Sequence, residues 1–275
     1  MHPYMESDKI VSEVYEVQKS HLEKEWSKLL DAEGKFLSRN MSVKEKDWQA
    51  KIAGFVPQKL ETSLNTAFFK AFELIFDRGT PVIEKTYQKQ RKEQNYKINE
   101  YAADVRNTHW SLRAFGREAG ASKSVNMALS TIEGVGMGMI GMGIPDIPVF
   151  LGVLLKSIYE IALSYGFSYD TGEEQIFILK LIETAISHEE ALARGNMELN
   201  LWISGGGAFD ISRSEQERIT SDALSRELLY LKFVQGIPVL GVVGGVSDMV
   251  YQKKISDYAA LKYKRRFLEK KRQNI

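Results

Sequence analysis

Apolar positions along the chain recur at helical spacing far more often than they alternate. Between residues 7 and 31, Ile10, Val14, Val17 and Leu22, then Trp26, Leu29 and Leu30, fall on one helical stripe. Leu64, Phe68, Phe72 and Phe76 make a ridge at i, i+4 spacing. Ile255, Ala259, Tyr263 and Phe267 make another, with Tyr258 and Leu261 beside it. The run QIFILKLIETAI at 175–186 has the composition of a buried strand, but its length and the capping box before it predict a helix. Capping boxes read Ser42…Glu45, Thr171…Glu174, Ser187…Glu190 and Ser214…Glu217. Thr80-Pro81 pairs an N-cap residue with proline at the first helical position. Alternation bounded by hairpin turns is nearly absent, and the glycine triplet 205–207 reads as an exposed, mobile loop. No Pro-, Gly- or Ser-rich linker divides the chain. The expected fold is all-α, a single multi-helix domain over residues 1–275, with two Gly-rich apolar helices at its centre.

Those two segments are Glu133 to Leu155 (EGVGMGMIGMGIPDIPVFLGVLL) and Phe233 to Tyr251 (FVQGIPVLGVVGGVSDMVY). Both contain Gly-Ile-Pro and both carry an aspartate, Asp146 or Asp248. Gly136, Gly138 and Gly141 spell G-x-G-x-x-G. A dinucleotide site needs a strand before those glycines and a helix opening at the third. Here a helical pattern precedes them and Pro145 and Pro148 follow, so the nucleotide reading lacks its context. Close packing accounts for the pattern better. Gly134, Gly138 and Gly141, followed by Gly143, let a neighbouring backbone approach, with methionines filling the irregular gaps; Gly236, Gly241, Gly244 and Gly245 can do the same around Pro238.

The same segments raise the question of a bilayer. The uncharged run 233–247 would extend about 22 Å as a helix, short of a hydrocarbon core of about 30 Å. Residues 134–155 are long enough, but Asp146 lies among them between Pro145 and Pro148, at a cost of roughly 2.5–3.5 kcal/mol for an aspartate at the bilayer centre. Three readings stay open: buried core helices, an interfacial or re-entrant hairpin bent at the Pro145–Pro148 elbow, and a spanning helix.

Charge adds direction. Lys and Arg number 37 against 36 Asp and Glu, a formal net charge of +1. Residues 252–275 nevertheless hold nine bases and two acids, which puts +7 on this tail and −6 on the rest of the chain. Lys262, Lys264, Arg265, Arg266, Lys270, Lys271 and Arg272 therefore stand out as lipid- or partner-binding residues, directly after the second apolar segment. Anionic lipid attracts such a segment by about 1 kcal/mol per base near the surface.

Composition closes off much chemistry. With no cysteine in 275 residues, thiol nucleophiles, cysteine-based zinc sites, iron–sulfur clusters and disulfides are excluded. Four histidines remain, His2, His21, His109 and His188; His188-Glu189-Glu190 is not H-E-x-x-H and reads as the first turn of a capped helix. No nucleophile-elbow or Walker motif is present, so no catalytic residue, metal or cofactor is expected. Asp146 in apolar surroundings can act as an acid or base, though an aspartate after a proline turn more commonly caps the next helix. The amino terminus lacks an apolar h-region, which places the chain inside the cell.

The ordered set of motifs is also distinctive. A Gly-rich apolar stretch leads to Asp146-Ile147-Pro148 and a long apolar helix ending Ile161-Ala162-Leu163-Ser164-Tyr165-Gly166. QIFILKLIETA follows, then Ile237-Pro238-Val239-Leu240-Gly241 before the basic Tyr/Arg-rich helix. This resembles the EcsC family of bacterial proteins, most clearly over residues 120–272, with residues 1–119 more divergent. The resemblance implies a cytoplasmic accessory protein linked to an ABC transporter and carries no established chemistry. The expected function is a non-enzymatic accessory protein, held on the cytoplasmic face of the membrane or on a membrane protein. The alternatives are an enzyme using Asp146 and a nucleic-acid binder using the basic helix. The last ranks third, because Tyr258, Tyr263 and Phe267 share the apolar stripe and the acidic body repels nucleic acid.

Overall fold

The ridge Leu64–Phe68–Phe72–Phe76 becomes one buried face of a helix, with all four side chains at 6% exposure or less. The computed structural model describes residues 3–41, 58–106, 109–125, 146–234 and 246–273, and among the described residues every regular element is helical. They are α1 (Pro3–Met41), α2 (Gln58–Leu74), a π-helical turn (Ile75–Gly79), α3 (Thr80–Glu84), α4 (Lys89–Arg106) and α5 (His109–Val125). Then come α6 (Asp146–Ser164), α7 (Gly172–Ile186), α8 (Glu189–Ile203), α9 (Arg213–Val234) and α10 (Val246–Gln273). The all-α expectation holds.

Two helices organise the packing. Around α6 lie α2, α3, α4, α5 and α10; around α10 lie α1, α5, α6, α7 and α8. Buried side chains from α1 through α10 join in one apolar cluster. Helix α6 is apolar enough to cross a membrane by length and composition, yet 83% of Ile147–Ser164 is buried inside the fold. Its apolar surface is therefore already covered by protein, which is the core-helix reading for this part of the first segment. The glycines and prolines singled out in the sequence at Gly134, Gly138, Gly141, Gly143, Pro145, Gly236, Pro238, Gly241, Gly244 and Gly245 lie outside the described residues.

Local signals hold in some places and shift in others. Thr171 caps α7, its side chain accepting from the Glu174 amide. Ser187 does not open α8; its hydroxyl donates back to the Glu183 carbonyl and closes α7, leaving His188 at the N-cap. At α9 the cap is Ser212, which accepts from the Glu215 amide, rather than Ser214. The Ser42 box lies outside the described residues. Thr80-Pro81 marks a continuation more than a start. Pro81 has no N–H for the Asp77 carbonyl, and the helix widens into the π turn just before it. The Thr80 hydroxyl donates back to the Ile75 carbonyl. Leu30, expected on the buried stripe of α1, is 45% exposed, whereas Leu29 is 1%; one residue along a helix turns the side chain off the packed face. The glycine triplet is exposed and outside any helix.

Helix α6 ends in a Schellman motif. Gly166, at φ +80°, donates to Leu163 O and Phe167 donates to Ala162 O, both at 3.0 Å.

Candidate functional site

The C-terminal helix α10 presents its apolar stripe inward: Ile255, Tyr258, Ala259, Tyr263 and Phe267 are all at 2% exposure or less. A helix carrying nine bases beside such a stripe brings cations to the rim of the core, where burial demands partners. Helix α1 supplies most of them. Lys262, fully buried, donates to Glu33 Oε1 at 2.9 Å and to Asn200 Oδ1 at 2.7 Å. Arg265 binds the same carboxylate through Nε at 3.0 Å and through Nη2. Lys264 donates to Glu25 Oε2 at 2.8 Å, and Arg272 lies 3.4 Å from Glu23. From Glu23 to Glu33 along α1 the partners step back from Arg272 to Lys262 along α10, so the two helices run antiparallel. The Trp26 ring meets the guanidinium groups of both Arg265 and Arg272, at 4.9 and 4.5 Å from the ring centroid.

Arg266 turns the other way. It donates to Glu174 at 2.6 Å, and Phe167, Phe177, Trp202 and Tyr263 ring its guanidinium at 4.2 to 5.4 Å. Burial alone would raise the pKa of Glu33, but hydrogen bonds and charge from Arg265 and Lys262 outweigh it and hold the carboxyl below its ordinary value. Lys262 moves down to about 8, because desolvation exceeds the pull of Glu33.

Of the seven bases singled out in the sequence, Lys262, Arg265 and Arg266 are therefore enclosed by acids and rings and do not face a surface. Lys264 is 25% exposed, while Lys270, Lys271 and Arg272 occupy the last turn of α10. The charge split between tail and body is in large part an internal pairing. Tyr258, Tyr263 and Phe267 are buried, so none is open for a base to stack on. Helix α6 opens at Asp146, while the side-chain role expected of that residue lies outside what is described. Pro148 is the third residue of α6, inside its first turn.

A groove of about 470 Å³ opens where α1, α5 and α10 meet, lined by Glu25, Lys28, Leu112, Arg113, Gly116, Arg117 and Lys264. At its edge Glu25 is only 2% exposed, and three cations converge on it: Lys264 at 2.8 Å, Lys28 at 3.0 Å and Arg113 at 3.5 Å. Burial pushes its pKa up, but hydrogen bonds from Lys264 and Lys28 prevail and bring it to about 2. Four cations and one carboxylate are among the residues that line the groove. Sequence reasoning identified only Lys264 among them. The signal available was Arg113 and Arg117, one turn apart on α5 with Gly116 between them.

Sequence reasoning also missed a buried polar knot. His188 Nε2 lies 3.0 Å from Glu227 Oε1, and the Tyr251 hydroxyl donates to Glu227 Oε2 at 2.7 Å. His188 and Glu227 are 5% and 6% exposed, which closes them to a substrate in this packing. Among the described residues, no group of three metal-ligating side chains occurs.

Comparison with known proteins follows the same lines. The EcsC protein family matches residues 23–268. Protein EcsC of Bacillus subtilis (strain 168) is 26% identical over 124 residues, 44% of this chain and 50% of the relative, so the match spans about half the length of that protein. No solved structure matches.

Proposed function

The chain belongs to the EcsC protein family, and from that premise we propose that it is a non-catalytic accessory protein that docks on the cytoplasmic face of a membrane or on a membrane protein there, an ABC transporter being the partner class implied by the family. The observation that supports this reading is the concentration of bases where α1, α5 and α10 meet: Lys28, Arg113, Arg117 and Lys264 on the groove, with Lys270, Lys271 and Arg272 on the last turn of α10. Anionic lipid and the cytoplasmic loops of membrane proteins both favour such a face. The burial of the apolar surface of α6 against other helices supports peripheral docking for this part of the chain. An enzymatic reading needs a reactive group open to substrate. Asp146, the residue on which that alternative rests, has its side chain outside the described residues, and the His188–Glu227 pair is buried.

Flotation with anionic and neutral vesicles at low and high salt tests the proposal, together with fractionation of cells into soluble, salt-strippable and detergent-requiring pools. Binding to anionic vesicles that weakens with salt, and a salt-strippable membrane pool, are expected. No binding at low salt combined with an entirely soluble pool overturns it.

A further inference from the structure

We infer that Lys254 is a reactive amine and a site of acylation, its Nζ accepting the acyl group of a small acyl phosphate. Lys254 stands apart from the groove where α1, α5 and α10 meet, and its reactivity does not depend on docking at a membrane.

The lysines of α10 differ in what holds them. Lys253 is exposed and pairs with Asp257, Lys262 is fully buried between Glu33 and Asn200, and Lys264 is held by Glu25. Lys270 is exposed. Lys254 matches none of these. It is half-buried, and among the described residues neither a carboxylate nor a hydrogen-bond acceptor lies within bonding distance of its Nζ. The acid that acts on it is already taken. Glu227, on α9, has His188 Nε2 at 3.0 Å from Oε1 and receives on Oε2 the hydroxyl of Tyr251, one turn before Lys254 on α10. His188 does not hold the amine either, since its Nδ1 is buried without a partner. Glu227 thus attracts Lys254 only through space, and desolvation outweighs that attraction, bringing the amine down to about 8.

A lysine desolvated without a partner is a nucleophile, because the neutral amine carries the lone pair. That pair attacks the carbonyl carbon of the acyl phosphate, the carbon–oxygen bond to phosphorus breaks, and phosphate departs with the bonding electrons. The nitrogen releases one proton to solvent, leaving an amide. Lys254 is consumed in this step, so it is an acyl acceptor and not a catalytic residue. The product suits its surroundings: an amide carries no charge, so the burial that penalises the ammonium does not penalise it. Lys262 is also brought down to about 8, but its fully buried amine donates to Glu33 and Asn200, which leaves it neither access nor a free lone pair.

The experiment treats the full chain briefly with acetyl phosphate, folded and in urea, at a series of pH values on either side of 8. Mass spectrometry of a digest follows each lysine separately, with exposed Lys270 as the internal reference. At pH 8 about half of the Lys254 amine is neutral, against about 0.4% of an ordinary lysine. A weaker base is the poorer nucleophile, which reduces the expected advantage of Lys254 over Lys270 to about tenfold. Its rate is expected to level off above pH 8 while that of Lys270 keeps rising, and the advantage is expected to vanish in urea. Lys254→Met, which removes a desolvated cation that no partner holds, is expected to melt at the parent temperature or above. Acetylation of Lys254 no faster than that of Lys270, or rising with pH without levelling, overturns the site. Selectivity that survives in urea belongs to the local sequence and overturns it as well. A Lys254→Met chain that melts well below the parent shows the amine to be engaged in the fold, with the same consequence.

Discussion

Gly166 shows how one residue can be fixed twice over. Its φ of +80° suits glycine, and a Cβ at this position would overlap the Tyr96 ring. The left-handed conformation costs a side chain about 1–2 kcal/mol and overpacking a further 1–3 kcal/mol. Gly166→Ala is expected to lower stability by roughly 2–5 kcal/mol in urea unfolding, whereas Gly120→Ala, with nothing within 4 Å of its Cβ, leaves it unchanged or higher. Glu217 offers a pH readout. Burial raises its pKa to about 7 despite Arg213, with Asp77 and Glu73 adding to the rise. Arg213 Nε lies 3.1 Å from Oε1 but is not aligned to hydrogen-bond it. Between the unfolded value of 4.5 and about 7 the folded state binds more protons than the unfolded state, so its stability falls as pH rises through that window. Glu217→Gln is expected to flatten this slope and to raise the melting temperature at pH 8 more than at pH 5; an unchanged slope would refute the assignment.

At the scale of elements, legibility depended on how far apart in sequence the interacting parts lie. The stripe Ile255–Ala259–Tyr263–Phe267 and the ridge from Leu64 to Phe76 are local periodicities, and both emerge as buried faces. The cap at Thr171 is equally local. The partners of the basic helix are not. Lys262 and Glu33 are 229 residues apart, and nothing in either neighbourhood announces the other. The tail therefore reads in sequence as a solvated cationic segment, while in the fold much of it is a seam. Ser187 and Ser214 mislead for a smaller reason: a serine hydroxyl serves a helix end on either side, and a neighbouring His188 or Ser212 can take the N-cap instead. The seam makes a prediction of its own. Glu33→Ala leaves Lys262 and Arg265 at the core rim without their carboxylate, and a loss of about 3–5 kcal/mol is expected in denaturant unfolding. Since Glu25 and Glu33 both titrate below their ordinary value of 4.5, the seam's contribution is present above pH 4.5 and is lost as pH falls, through about 2 for Glu25. Where α7 meets α8, Gly195 faces Thr184, whose Cβ lies 3.2 Å from where a Cβ on Gly195 would sit, and Gly195→Ala is expected to cost about 1–3 kcal/mol.

Taken as a whole, the molecule divides its cations into two populations, one holding helices together and one facing outward. Lys262, Arg265 and Arg266 belong to the first, each in contact with a buried carboxylate. Arg117 and Lys270 are exposed and belong to the second, on the groove and on the last turn of α10. A charge map drawn from sequence merges the two, and a mutational scan of the tail read only by membrane binding would merge them again. Measuring stability and binding on the same variants separates them. Lys262→Ala and Arg266→Ala are expected to lower the melting temperature strongly, because Lys262 is one of two cations on buried Glu33 and Arg266 pairs with buried Glu174, and to lose vesicle binding only in proportion to the unfolded fraction. Arg117→Glu and Lys270→Glu are expected to melt near the parent temperature, since exposed charges contribute about 0–1 kcal/mol, while their vesicle binding falls and becomes less dependent on salt. If instead the buried-cation variants lose binding at temperatures where circular dichroism shows them fully folded, the seam between α1 and α10 opens at the membrane, and the docking surface would include the seam itself.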